Sequence, residues 1–195
     1  MTAHSLAHQG AMERLAKSFP SLFHHRLPER LGQEQMVTVP ARQGLFDPRK
    51  FLRNKIEGHE LAIYDFNEEN CPFSTPVADI SERLYGVLTI QAEEGLNGLE
   101  VALSFPDFLS NPSRFEDVAW FLDQLIRDKD WPPAPESDCS LVFFSRGDDN
   151  RIYTVICTLD EEPFSPSWLL FVGPFSRSNH WAQGSRLVHP IRALA

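Results

Sequence analysis

The sequence lacks the long apolar segments of a membrane protein. Its longest apolar runs, such as WLLFV and LVFF, have about five residues, whereas a membrane-spanning helix needs about 20. The amino-terminal stretch also lacks a basic start followed by an apolar core, so we expect no secretory signal. These absences predict a cytoplasmic protein that does not act at a membrane.

Cysteine is scarce. There are three cysteines (Cys71, Cys139 and Cys157), an odd number, and no two of them form a CxxC pair. This pattern is more typical of reduced thiols in a cytoplasmic protein than of a disulfide framework.

Motifs of cofactor and metal chemistry are missing as well. The sequence has no GxGxxG, no GxxxxGK[ST] and no HExxH, and the stretch QGSRL lacks the second glycine of a nucleophile elbow. The histidines at His24, His25 and His59 do not match a zinc-ligand spacing. We therefore expect no cofactor and no metal. The sequence leaves open whether the protein is an enzyme, but the missing motifs argue against catalytic activity.

The charge that is present is distributed unevenly along the chain. The formal net charge is −9, with +4 in residues 1–58, −16 in residues 59–173 and +3 in residues 174–195. An acidic body argues against direct binding of nucleic acid, which needs a basic face. Either the basic ends fold back on the acidic body, or the acidic surface binds a basic partner.

The periodicity predicts one α+β domain over residues 1–195. Residues 1–58 read as an irregular, partly helical segment, with a helix in FDPRKFLRNKIEG capped by Asp47 and ended by Gly58. Residues 59–173 predict an antiparallel sheet of five to six strands with one long helix, about 112–129, on one face. Residues 174–195 form a basic tail without a clear period.

One alternating stretch carries the most specific prediction for this sheet. GLEVALSF places four apolar side chains on one face of a strand, and the preceding EEGLNG suits a hairpin turn. We therefore predict that 84–91, 99–105 and 151–158 are neighbouring strands of one antiparallel sheet. The side chains predicted to be buried are those of Leu99, Val101, Leu103 and Phe105.

The long helix carries a tryptophan on its polar side. At 100° per residue, Trp120 lies nearly opposite the apolar sector, among charged residues. Three interpretations are open: the amino-terminal segment (residues 1–58) or the carboxy-terminal tail folds over the indole, the indole lies flat on its own helix, or it anchors a partner. The third predicts a partner-binding site formed by Trp120, Glu116, Asp123, Arg127 and Trp131, to which the acidic residues, Asp117 included, attract a basic surface.

Two classes of function follow. The first is a non-enzymatic protein-binding protein with an acidic surface, either an inhibitor of a basic partner of the immunity or anti-defence type, or a chaperone or assembly adaptor. The alternative is a small hydrolase or transferase with a site assembled from scattered residues, for example Cys71, His59 and Asp65. Glu68 and Glu69 lie close to Cys71 in sequence and disfavour a thiolate there.

Overall fold

A computed structural model describes residues 30–64, 75–128, 139–159 and 168–191. Several predictions concern residues outside these ranges and are not tested by the structure. They are those for the part of the amino-terminal segment before residue 30, which includes His24 and His25, and for Asp65, Cys71 and Trp131.

The described part of the chain is built around one mixed sheet of eight strands. Its strands are β1 Gln35–Val39, β2 Leu61–Tyr64, β3 Arg83–Thr89, β5 Ser113–Arg114, β6 Ser140–Arg146, β7 Ile152–Leu159, β8 Trp168–Pro174 and β10 Arg186–Pro190; β4 Leu96–Asn97 and β9 His180–Trp181 form a separate two-stranded ladder. Seven strands of the sheet lie side by side in the order β1-β3-β10-β6-β7-β8-β2, and the short β5 pairs with β6. Neighbours are antiparallel except for three parallel pairs, β10 with β6, β2 with β8 and β5 with β6.

The first helix, α1 (Pro48–Glu57), has the ends that the sequence predicts. The side chain of Asp47 accepts hydrogen bonds from the backbone N–H groups of Arg49 and Lys50, at 2.9 and 3.2 Å. Pro48 occupies the first turn, where its missing N–H costs nothing, and Gly58 closes the helix. The prediction of this helix is confirmed.

The longest helix, α4 (Phe115–Arg127), covers one face of the sheet together with α1. Its apolar sector is buried against inward-facing side chains of the central strands, as the helical period predicts. The helix side chains in this core are Phe115, Val118, Ala119, Phe121, Leu122 and Leu125. The prediction of a helix packed on one face of a sheet is confirmed, but its predicted bounds of 112–129 are not, because the helix spans Phe115–Arg127.

The opposite face of the sheet is covered as well, because the stretch predicted to be a strand at 99–105 is helical. Residues Gly98–Ser104 form α2, and Pro106–Ser110 form α3. Asn97 and Glu100 form a capping box, which starts a helix at this point. This local signal for a helix prevails over the alternation of apolar residues, which favours a strand. Of the four side chains predicted to be buried, only Val101 is; Leu99 is 37 % exposed, and Leu103 and Phe105 are half-buried. The strand and its EEGLNG hairpin were wrong predictions.

The carboxy-terminal tail also departs from the prediction. Its strand β10 lies between β3 and β6 in the middle of the sheet, with Leu187 and Val188 buried. As a result, the stretches 84–91 and 151–158 belong to one sheet but are not neighbours. The sheet has eight strands instead of five or six, and it is mixed instead of antiparallel. No helix within the described ranges has the length and apolar character to cross a membrane.

Candidate functional site

Trp120, on α4, is half-buried and packs against the edge of the main apolar core. Its indole Nε1 donates a hydrogen bond to the carbonyl oxygen of Pro40, at 2.7 Å. The guanidinium carbons of Arg42 and Arg127 lie 5.7 and 5.5 Å from its ring centroid, so the ring contacts two cations. The chain that follows β1 therefore covers part of the indole, in line with the first interpretation, and the rest of the ring stays open to solvent.

The loop that contacts Trp120 is itself well anchored. Arg42 also lies over the ring of Phe46, at 5.0 Å, and Arg42 and Phe46 form backbone bridges to Ile80 and Val77. Leu45 in the same loop is 72 % exposed. We use the name Trp120 face for the surface formed by Trp120, Pro40, Arg42 and Arg127.

Asp123, predicted to meet a partner, lies inside the molecule. It is 4 % exposed and forms ion pairs with Lys55 at 3.0 Å and Arg127 at 2.7 Å. Lys55 also pairs with Glu60, at 2.9 Å. Burial alone would lower the pKa of Lys55, but its hydrogen bonds to Glu60 and Asp123 outweigh burial and raise that pKa. The carboxylate of Asp123 thus joins α1 to α4.

The two acidic residues of the first turn of α4 are also paired within the chain. Asp117 is 5 % exposed and lies 3.5 Å from Arg83; burial raises the pKa of its carboxyl, and the nearby arginines only partly offset that rise. Glu116 pairs with Arg114. The acidic residues expected around Trp120 are therefore largely balanced by cations of the chain, and the charges that contact the indole are two arginines.

The alternative enzyme site is not tested by the structure, because only one of its three residues lies within the described ranges. His59 lies just after α1, exposed, with a positive φ of 57°, whereas Cys71 and Asp65 are outside the described ranges. Cys157 faces the core, and burial raises the pKa of its thiol well above the usual range. The described residues contain no group of three or more histidine, cysteine or acidic side chains placed to hold a metal ion.

A second polar pair was not predicted from the sequence. His189 on β10 has its Nε2 2.6 Å from the Oε1 of Glu34, and its ring stacks on Phe108, with centroids 4.4 Å apart. The two partners of this pair are separated by 155 residues, so no local pattern could have joined them.

Comparison of the chain with protein-family models, with curated proteins and with solved structures finds no match.

Proposed function

We propose that this protein is a non-enzymatic binding protein that docks another protein on the Trp120 face. The observation that carries the proposal is the state of the indole, which is fixed by the hydrogen bond to Pro40 and by two arginines yet remains partly open. A large aromatic side chain that is already ordered loses little entropy on binding, and such residues supply much of the binding energy at protein interfaces.

The chemistry of the proposed partner follows from the charge of the whole chain. With a net charge of −9, the protein attracts a basic surface over a distance comparable to the Debye length. Close to the indole, the charge of Arg127 is partly balanced by Asp123, whereas Arg42 adds a positive charge that opposes this attraction locally. The partner we propose is a protein with a basic surface, so the chain would act as its inhibitor, of the immunity or anti-defence type, or as its chaperone or assembly adaptor.

The alternative of a small hydrolase or transferase is not favoured by any observation on the described residues. We therefore keep a single proposed function, of the binding class.

The experiment is a comparative capture from cells of the native host. The full chain, Trp120→Ala and Leu99→Ala serve as three baits, and the bound proteins are quantified by mass spectrometry. Leu99 is a matched control because it is a large apolar residue, 37 % exposed, on the helix layer of the opposite sheet face. We expect a protein that is retained by the full chain and by Leu99→Ala but lost with Trp120→Ala. Equal retention by all three baits would contradict docking on the Trp120 face.

The sign of the partner's charge is tested at Arg127, whose side chain is 64 % exposed. Arg127→Gln removes one positive charge beside the indole and keeps a side chain that can still donate a hydrogen bond to Asp123. With a basic partner, we expect faster association by stopped-flow fluorescence, and a gain that shrinks as salt is added. Slower association would show that the partner's contact surface is acidic.

A further inference from the structure

A pocket on the face of the sheet opposite α4 points to a second binding site, independent of the Trp120 face. It lies between the α2–α3 junction, including Ser104, Phe105 and Asp107, and the end of β10, including His189 and Pro190. Its volume is about 310 Å³. This is at the lower end of the range for small-molecule sites and suits a ligand of one or two rings.

One wall of the pocket is a stack of three flat rings. Phe105 and Phe108 are stacked at 4.8 Å with 16° between their planes, and Phe108 and His189 at 4.4 Å with 21°. Phe108 is buried, whereas Phe105 is half-buried at the outer end of the stack. A further planar ring can extend such a stack in an offset or edge-to-face arrangement.

The histidine of this stack is held in place from the sheet side. Gly86 lies opposite His189 in the ladder between β3 and β10. A Cβ atom at position 86 would stand 2.5 Å from the Nε2 of His189 and 2.3 Å from the Oε1 of Glu34, so any larger residue would displace the pair. Because residue 86 is a glycine, the sheet has space at this position for the ring of His189 and the carboxylate of Glu34.

The polar side chains of the pocket offer several hydrogen-bond acceptors. A carboxylate can only accept, so the Nε2 of His189 carries the hydrogen that Glu34 binds, and in the neutral ring Nδ1 is then an acceptor. Asp107 supplies a carboxylate to the lining of the pocket, and the side-chain amide of Asn111 adds a group that can both accept and donate. The buried Oγ of Ser104, which also lines the pocket, has no hydrogen-bond partner among the described residues. No lysine or arginine of the described residues lines the pocket. A negatively charged ligand would therefore be repelled, while a ligand with N–H or O–H groups would find acceptors.

We propose that this pocket binds a small planar aromatic molecule that carries an N–H or O–H donor and no negative charge. The ring stack would hold the flat face or edge of the ligand, and Asp107, Ser104 and His189 would accept or share its hydrogen bonds. Binding of such a molecule does not depend on the proposed docking of a protein on the Trp120 face.

The test uses the full chain and two matched probes, benzimidazole, a planar ring with an N–H donor, and benzoate, a planar anion of similar size. Binding is measured by saturation-transfer NMR and titration. We expect benzimidazole to bind at least tenfold more tightly than benzoate. Phe105→Leu and His189→Gln should weaken benzimidazole binding at least tenfold, whereas His180→Gln, at an exposed histidine on β9, should leave it unchanged.

Asp107→Asn is the variant that keeps the test decisive if a substitution in the ring stack prevents folding, because Asp107 is exposed. It should reduce the preference for benzimidazole over benzoate several-fold, with a thermal melt like that of the wild type. The proposal is overturned if benzimidazole does not bind at millimolar concentration, if benzoate binds equally well, or if none of the pocket variants changes binding.

Discussion

Asp123 shows how a charged side chain on the polar side of a helix comes to lie inside the molecule. The helical period places it on the side of Trp120, but α1 and its Lys55 pack over that position, and the carboxylate is enclosed between Lys55 and Arg127. A buried ion pair of this kind is costly to break, since the remaining charge loses its compensation.

We predict that Asp123→Lys destabilises the fold by about 3–5 kcal/mol, because it sets a third cation beside Lys55 and Arg127. Urea unfolding followed by circular dichroism measures the change. Glu93→Lys, the same charge change at an exposed residue of a turn, should stay within about 0.5 kcal/mol. Equal effects of the two substitutions would mean that Asp123 is not buried in an ion pair.

Asp117 gives a prediction about pH. Its carboxyl pKa is raised by burial above the ordinary value of 3.8. The folded state therefore holds the proton of this carboxyl more tightly than the unfolded state does. The protonated carboxyl contributes fully to the free energy of unfolding below pH 3.8, and this contribution is lost as the pH rises through the higher pKa of the folded state. We predict that Asp117→Asn is more stable than the wild type at pH 7 and that this difference disappears towards pH 3.8. Unfolding free energies across this pH range measure it, and a difference that grows as the pH falls would contradict the assignment.

At the scale of the element, α2 is the clearest case of a short segment with two plausible periods. In GLEVALSF the apolar residues alternate as in a strand, but the Asn97–Glu100 capping box starts a helix. In a strand, Leu99 and Val101 would share a face; in a helix they lie about 200° apart around the axis. The structure buries Val101 fully and leaves Leu99 37 % exposed.

These two residues therefore make a matched pair for a test. We predict that Val101→Ala costs about 2 kcal/mol of unfolding free energy and that Leu99→Ala costs less than about 0.5 kcal/mol. Chemical denaturation of both variants gives the comparison. Similar costs at the two positions would favour the strand that the alternation alone predicts.

Elements with strong local signals could be predicted from the sequence, and elements defined by distant pairing could not. The cap at Asp47 and the apolar sector of α4 are local, so α1 and α4 were located correctly. The strand β10 has only five residues, and its place depends on β3 and β6, which lie far away in the chain. The same holds for the site residues: Trp120 stands out on a helical wheel, whereas the pair of His189 and Glu34 exists only in the fold.

At the scale of the whole molecule, the uneven charge of the sequence is partly balanced by the fold. Arg30, in the basic amino-terminal segment 1–58, pairs with Glu94 at 3.1 Å and with Glu100 at 2.5 Å, both in the acidic body. Lys55 does the same with Asp123. The described part of the amino-terminal basic segment thus pairs with the acidic body, as one of the two interpretations of the charge pattern expects. Both interpretations are compatible, because pairing of these residues leaves the net charge at −9.

The central claim, that the Trp120 face binds a protein, predicts separate effects on stability and affinity. On sequence grounds, Trp120→Ala is expected to cost within about 1 kcal/mol of stability. The hydrogen bond to Pro40 and the two arginine contacts raise this expectation to about 1–2 kcal/mol.

The most direct measurement is the dissociation constant of the captured partner for the wild type and for Trp120→Ala, by isothermal titration calorimetry on variants shown to be folded. We predict a loss of about 2 kcal/mol or more, roughly a 30-fold weaker complex. An affinity within twofold of the wild type, together with a loss of several kcal/mol in stability, would show that Trp120 is a structural residue and would contradict docking on this face.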